Sequence, residues 1–210
     1  MGPPGAGKGT QAAIVSERLG VPHIDTGGII RDNIQDRTPL GLEAKEYVDR
    51  GELVPDDLII RLIEDRLNKP DAAEGWLLDG FPRSIAQAEA LSRMGPRGGE
   101  AVERVVFMEV PEDLLVRRLT SRRVCPVCKS VYNVITMPPR KDGVCDKCGA
   151  ELVQRTDDNE ESIRNRFRVY HSETAPIADY YKRKGLLVEV DGAGELEEGT
   201  ERILAALDGA

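Results

Sequence analysis

Apolar residues recur along this chain in two alternating rhythms. In residues 56–68, Ile59, Leu62, Ile63 and Leu67 fall on one face at helical spacing, with Arg61, Glu64 and Asp65 outside. The same period predicts helices over residues 11–19, closed by Gly20, and over residues 41–50, closed by Gly51. A further helix starts at Pro111, carries Leu114, Leu115 and Leu119 on one face and reaches Arg122. Residues 160–184 are helical with an interruption at Pro176, and residues 199–207 form a terminal helix. Between these lie short extended runs at 21–24, 76–78, 105–110 and 186–190. Strands alternating with helices predict an α/β fold, a doubly wound parallel sheet with crossovers on both faces. Ligands in such sheets gather at the carboxyl ends of strands, where the turns at Asp79 and Asp191 belong. Residues 124–153 break both rhythms and hold all four cysteines.

Residues 2–10 read Gly-Pro-Pro-Gly-Ala-Gly-Lys-Gly-Thr. Glycines at 2, 5, 7 and 9 permit backbone angles closed to other residues, so successive N–H groups can turn inward around an anion. The helix that follows points its positive dipole end into the same cradle. Lys8 supplies a mobile charge for distal phosphates and Thr10 a hydroxyl beside a metal ion, although Gly9 occupies the position where the hydroxyl usually stands.

The cysteines form two knuckles, Cys125-x-x-Cys128 and Cys145-x-x-Cys148, sixteen residues apart. Four thiolates at this spacing suit a closed tetrahedral zinc site; the rival reading is two disulfides, which a cytosolic protein would not keep. Roughly thirty residues with one tyrosine cannot bury a core, so metal binding would replace one.

Composition narrows the partners. A net charge of −8 disfavours nucleic acid and membrane surfaces, so anion-binding arginines must be concentrated locally. No apolar run approaches the ~20 residues of a membrane span and no secretory leader is expected, which places the protein in the cytoplasm.

The segments GPPGAGKGTQ, HIDTGGIIR, GELVPD, LLDGFPR, RLTSRR, RTDDNEESIRNR and YY with VDG, in this order around the four-cysteine insertion, resemble the adenylate kinases of the bacterial long-lid type over essentially the full chain. The resemblance implies phosphoryl transfer from MgATP to AMP, giving two ADP. It implies a P-loop fold with a five-stranded sheet, a core (1–24, 55–120, 159–210), a helical AMP-binding segment (25–54) and a zinc-bearing lid (121–158). Catalysis would fall to Lys8, Arg83, Arg122, Arg155 and Arg166, whose planar forks suit phosphate oxygens. ATP would lie against Gly5, Ala6, Gly7, Lys8, Gly9, Thr10, Arg118, Arg122, Val131, Tyr132 and Gly194. AMP would meet Thr26, Arg31, Glu52, Leu53, Val54, Gly80, Phe81, Pro82, Arg83, Gln87, Arg155 and Arg166. Asp79 would hold Mg²⁺ through water, and Cys125, Cys128, Cys145 and Cys148 structural Zn²⁺. A monomer is expected. The family also carries a hydrophobic strand before the loop, at the centre of its sheet. Here only Met1 precedes Gly2, so that strand is expected to be truncated, leaving two neighbours with apolar edges exposed. Two alternatives stay open at this point: a kinase using UMP or CMP as acceptor, and an inactive homologue.

Overall fold

The computed structural model describes residues 1–95 and 98–208, so the last two residues of the expected core lie outside it. After the glycine-rich loop come α1 (Lys8–Leu19), β1 (His23–Asp25), α2 (Thr26–Gln35), α3 (Pro39–Arg50) and α4 (Asp56–Leu67). Then follow β2 (Leu77–Asp79), α5 (Ile85–Leu91), β3 (Val105–Glu109) and α6 (Glu112–Thr120). The cysteine segment contains β4 (Arg122–Val124) and β5 (Val131–Asn133), and beyond it lie α7 (Glu160–Val169), α8 (Pro176–Arg183), β6 (Leu187–Asp191) and α9 (Leu196–Asp208).

The parallel α/β order matches the sequence pattern, but the strands do not form one five-stranded sheet. Among the described residues β1 pairs only with β2, and β3 only with β6, both in parallel register. Between the two pairs stands Met1 alone. Its amine donates to Val106 O, and its carbonyl accepts from Met108 N at 2.9 Å. These two bonds make one rung of a parallel ladder. Gly2 follows so closely that a side chain there would meet Met108 O at 2.6 Å, which only glycine avoids.

The core divides in the same way. Ile24, Ile63, Leu91, Val105, Ile177 and Tyr181 belong to one apolar cluster; Val15, Met108, Leu115, Leu119, Phe167 and Ile203 belong to another. A cavity of about 510 Å³ lies between β2 and β3 and is lined from both clusters.

Local details differ from the expected boundaries for physical reasons. The first helix starts at Lys8 rather than at residue 11, because Gly7 adopts the left-handed conformation (φ 91°) that turns the loop straight into it. Asp56 does not cap α4. Pro55 holds the cap position, and the Asp56 carboxylate is taken by Ser84 and Gln87 at 2.7 Å each. The interruption at Pro176 takes the form of a wide turn over Tyr170–Thr174, in which Ala175 N donates to Tyr170 O at 2.8 Å. Proline offers no N–H and crowds the carbonyl four residues back, and the extra residue relieves that clash.

Candidate active site

The turns leaving β1 and β2, the glycine-rich loop, the α3–α4 connection and α7 meet around one cavity of about 160 Å³. Lys8, Asp79 and all twelve residues expected to hold the acceptor line it. Arg122 is absent from its lining but is tied to it through Asp158.

Two neighbouring carboxylates organise the arginines. Asp158, with no exposed side-chain surface, accepts from Arg122 Nε at 2.8 Å and from a second Arg122 nitrogen at 2.5 Å. Asp157 forms the same forked pair with Arg155, at 2.9 and 2.8 Å. Arg166 reaches both, 3.1 Å from Asp157 and 3.2 Å from Asp158. Three guanidiniums thus share two carboxylates, leaving a positive excess for an anion to neutralise. Burial alone would raise the Asp157 pKa, but Arg155 and Arg166 outweigh it and hold the carboxyl well below the usual range. Burial lowers Arg166 to about 10, with Asp157 opposing and Arg122 and Arg155 adding to the shift.

Lys8 Nζ folds back onto the carbonyls of Gly2 and Pro3, at 2.9 and 2.8 Å. Burial pushes its pKa down to about 8; Asp79 opposes that shift, while Arg83, Arg166 and Arg122 reinforce it. Asp79 faces the same loop, since a side chain at Gly9 would stand 3.1 Å from its Oδ2. Burial raises the Asp79 pKa, yet His23 and Lys8 prevail and keep it below the ordinary value. His23 Nε2 lies 3.8 Å from Asp79 Oδ2. A single ionised carboxylate beside a phosphate cradle fits the few protein ligands that Mg²⁺ takes.

On the other wall Arg31 reaches back along α2 to Asp25 at 3.1 Å, and burial, aided by Arg155, lowers it to about 10. Gln87 is buried at the start of α5 with its amide fully engaged: Oε1 accepts from Arg83 N, and Nε2 donates to Asp56, both at 2.7 Å. Arg83 Nε donates to Gly80 O at 2.7 Å, and the Arg83 carbonyl accepts from Thr174 in the wide turn at 2.9 Å. Arg118 sits outside the cavity against the Gly192 and Ala193 carbonyls, at 3.0 and 3.4 Å, next to Gly194.

The four cysteine sulfurs lie within 4.8 Å of one another and are not disulfide-bonded. Metal–sulfur bonds of about 2.3 Å to a tetrahedral centre would bring four sulfurs to such separations, so this donor set fits a closed zinc site. Tyr132 is buried beneath it, accepting from Asp146 N at 2.8 Å and standing 3.5 Å from Cys145 Sγ, while Val131 faces outward. From the same segment, Lys129 reaches across to Asp32 and Gln35 on α2, at 2.8 and 3.0 Å.

A family model described as adenylate kinase matches residues 1–186. The chain is 51% identical over 207 residues to the adenylate kinase of Carboxydothermus hydrogenoformans, covering 99% of this chain and 97% of that one. It is 50% identical to those of Caldicellulosiruptor bescii over 207 residues and Archaeoglobus fulgidus over 208, each covering 99% of this chain and 96% of the relative. The chain belongs to the adenylate kinase family.

For an adenylate kinase, the residues that the sequence reading passed over are the acidic partners. Asp157 and Asp158 space three arginines. The signal was present in Arg155-Thr-Asp-Asp, where adjacent carboxylates follow a candidate arginine. Asp25 and Asp56, which hold Arg31 and Gln87, carried no comparable signal. Among the described residues, no helix is long and apolar enough to cross a membrane.

Proposed function

We propose that the cavity between α2, α4, α5 and α7 receives AMP and that the loop at residues 2–10 receives the phosphates of ATP, in the phosphoryl exchange that family membership supports. The observation carrying this reading is the convergence of Lys8, Arg31, Arg83, Arg155 and Arg166 on one cavity that also has an apolar side at Ile30, Val54, Ile59 and Phe81. Phosphoryl transfer asks the protein for in-line placement and dispersal of charge rather than covalent work. Arg31 and Arg83 would hold the acceptor phosphate. Arg122, Arg155 and Arg166, spaced by Asp157 and Asp158, would meet the phosphoryl in transit, and Lys8 with the loop amides of residues 5–10 would hold the donor.

Thr26, Glu52, Leu53, Val54, Gly80, Phe81 and Pro82 would bound the acceptor base and ribose. Gln87 would either turn its amide to the base or, as its bonds favour, fix Arg83. Arg118 and Gly194 would face the donor adenine from the core. Val131 would do so from the lid by its side chain, and Tyr132 by its backbone, since its ring is occupied. Mg²⁺, held through water by Asp79, would shield the donor phosphates and share the developing charge. Zn²⁺ on the four cysteines would shape the lid without entering the chemistry.

At about 160 Å³ the cavity is smaller than the ~300–1,000 Å³ of most ligand sites, so segments 25–54 and 121–158 would part to admit nucleotides. Their contact through Lys129 would break on opening and reform over bound substrate. The reading takes the protein to be a cytoplasmic monomer. Purified protein incubated with MgATP and each nucleoside monophosphate tests it. ADP formation with AMP in preference to UMP or CMP is expected, and no turnover with AMP overturns the reading.

A further inference from the structure

We propose that Gln11 is a positioning residue for the donor nucleotide, holding the phosphate loop and the loop at residues 191–195 at the separation that one ATP molecule requires. The role rests on the donor placement proposed above, phosphates along residues 2–10 and adenine beside Gly194. Gln11 follows Thr10 directly on α1, and its buried side chain is turned toward the start of α9. Nε2 donates to Leu196 O at 2.8 Å, and Oε1 accepts from Thr200 Oγ1 at 2.7 Å, partners 185 and 189 residues away along the chain. A backbone carbonyl can only accept, so turning the amide over would set two oxygens against each other. Its orientation is therefore fixed.

The facing helix is shaped to the amide. A side chain at Gly199 would meet Gln11 Nε2 at 2.8 Å, so α9 presents bare backbone at that point. Glycine within a helix costs backbone entropy, and this close approach is what it serves. From Leu196 the constraint reaches Gly194, two residues back. On its other flank the same loop is held by Arg118 from α6, which donates to the Gly192 and Ala193 carbonyls at 3.0 and 3.4 Å. Ala193 N also donates to Asp191 Oδ1 at 2.8 Å, which closes the turn on itself. The loop is thus tied to α9, and Gln11 ties α9 to the helix that opens at the phosphate loop. Triphosphate and adenine are joined through one ribose, so their two sites reinforce each other only when their separation matches the ligand. Gln11 acts through the loops it joins, and what it supplies is that match, set before the nucleotide arrives.

Gln11→Met keeps the length of the side chain and removes both bonds. Thr200→Val removes one of them at nearly constant volume, and Thr200→Ser keeps the hydroxyl. Each full-length variant is titrated calorimetrically with MgATP and with magnesium tripolyphosphate, which carries no adenine. Gln11→Met is expected to weaken MgATP at least about fivefold while tripolyphosphate stays within about twofold of the parent. Thr200→Val should move in the same direction and Thr200→Ser should bind both ligands as the parent does. Equal weakening of the two ligands in Gln11→Met overturns the proposal, because Gln11 would then only support the phosphate loop. No change with either ligand also overturns it, because the side chain would then only fill the core. If Gln11→Met does not fold, the Thr200 pair decides by the same ratio. A parent protein that binds tripolyphosphate as tightly as MgATP refutes the donor placement itself, and that result is separable because it needs no variant.

Discussion

Asp158→Ala removes the carboxylate that spaces Arg122 from Arg166 while touching no expected substrate atom. Three hydrogen bonds to arginine nitrogens, at 2.8, 2.5 and 3.2 Å, end on this one side chain, which has no exposed surface. Breaking a buried pair by deleting one partner costs about 3–5 kcal/mol, because the surviving charges stay buried and unpaired. Here Arg122 loses its carboxylate partner, and Arg166 keeps only Asp157, which it shares with Arg155. At roughly 2–4 °C per kcal/mol for a chain of this size, the melting temperature should fall by at least about 6 °C. Calorimetry measures it, with and without ADP. A polyphosphate can stand in for the missing negative charge, so ADP should raise the variant's melting temperature more than the parent's. A drop under about 2 °C would refute the structural role assigned to Asp158. A stability gap unaltered by ADP would refute the idea that carboxylate and phosphate serve the same arginines.

Metal removal should act on stability before chemistry: chelation is expected to lower the melting temperature and added zinc to restore it, and a metal-free protein that melts unchanged would remove zinc from the account. Lys8, lowered by burial to about 8, loses its charge in the free protein as pH rises through that value, so above it polyphosphate binding must take up a proton. Apparent ATP affinity should therefore weaken by up to about tenfold per pH unit above 8, and Lys8→Arg should flatten that limb of a binding titration. Arg155 and Arg166 hold the Asp157 pKa below the ordinary aspartate value of about 3.9 in the folded protein, so its stabilisation is complete above that pH and lost as pH falls below it; Asp157→Asn should flatten the acid limb of a stability profile. Asp56→Ala frees the Gln87 amide and loosens Arg83, and should raise the AMP KM several-fold while leaving the ATP KM within about twofold.

Much of the site was legible in the sequence because its chemistry is local. The glycine-rich loop is a backbone conformation written in consecutive residues, and the knuckles Cys125–Cys128 and Cys145–Cys148 are metal geometry written as spacing. The helix–strand alternation likewise reports burial on one face, which periodicity reads directly. The bonds among Arg122, Asp158 and Arg166, and among Asp56, Gln87 and Arg83, join residues from separate elements, and no local pattern encodes which carboxylate meets which guanidinium.

By itself, then, the sequence determined the class of fold, the family and the list of groups able to meet phosphate and metal. Only the tertiary structure decided that Asp157 and Asp158 hold three arginines and that Tyr132 turns under the cysteines. The physical reason is common to both. Hydrogen-bond partners are chosen by the closing of the chain, where each buried polar group takes the partner within reach.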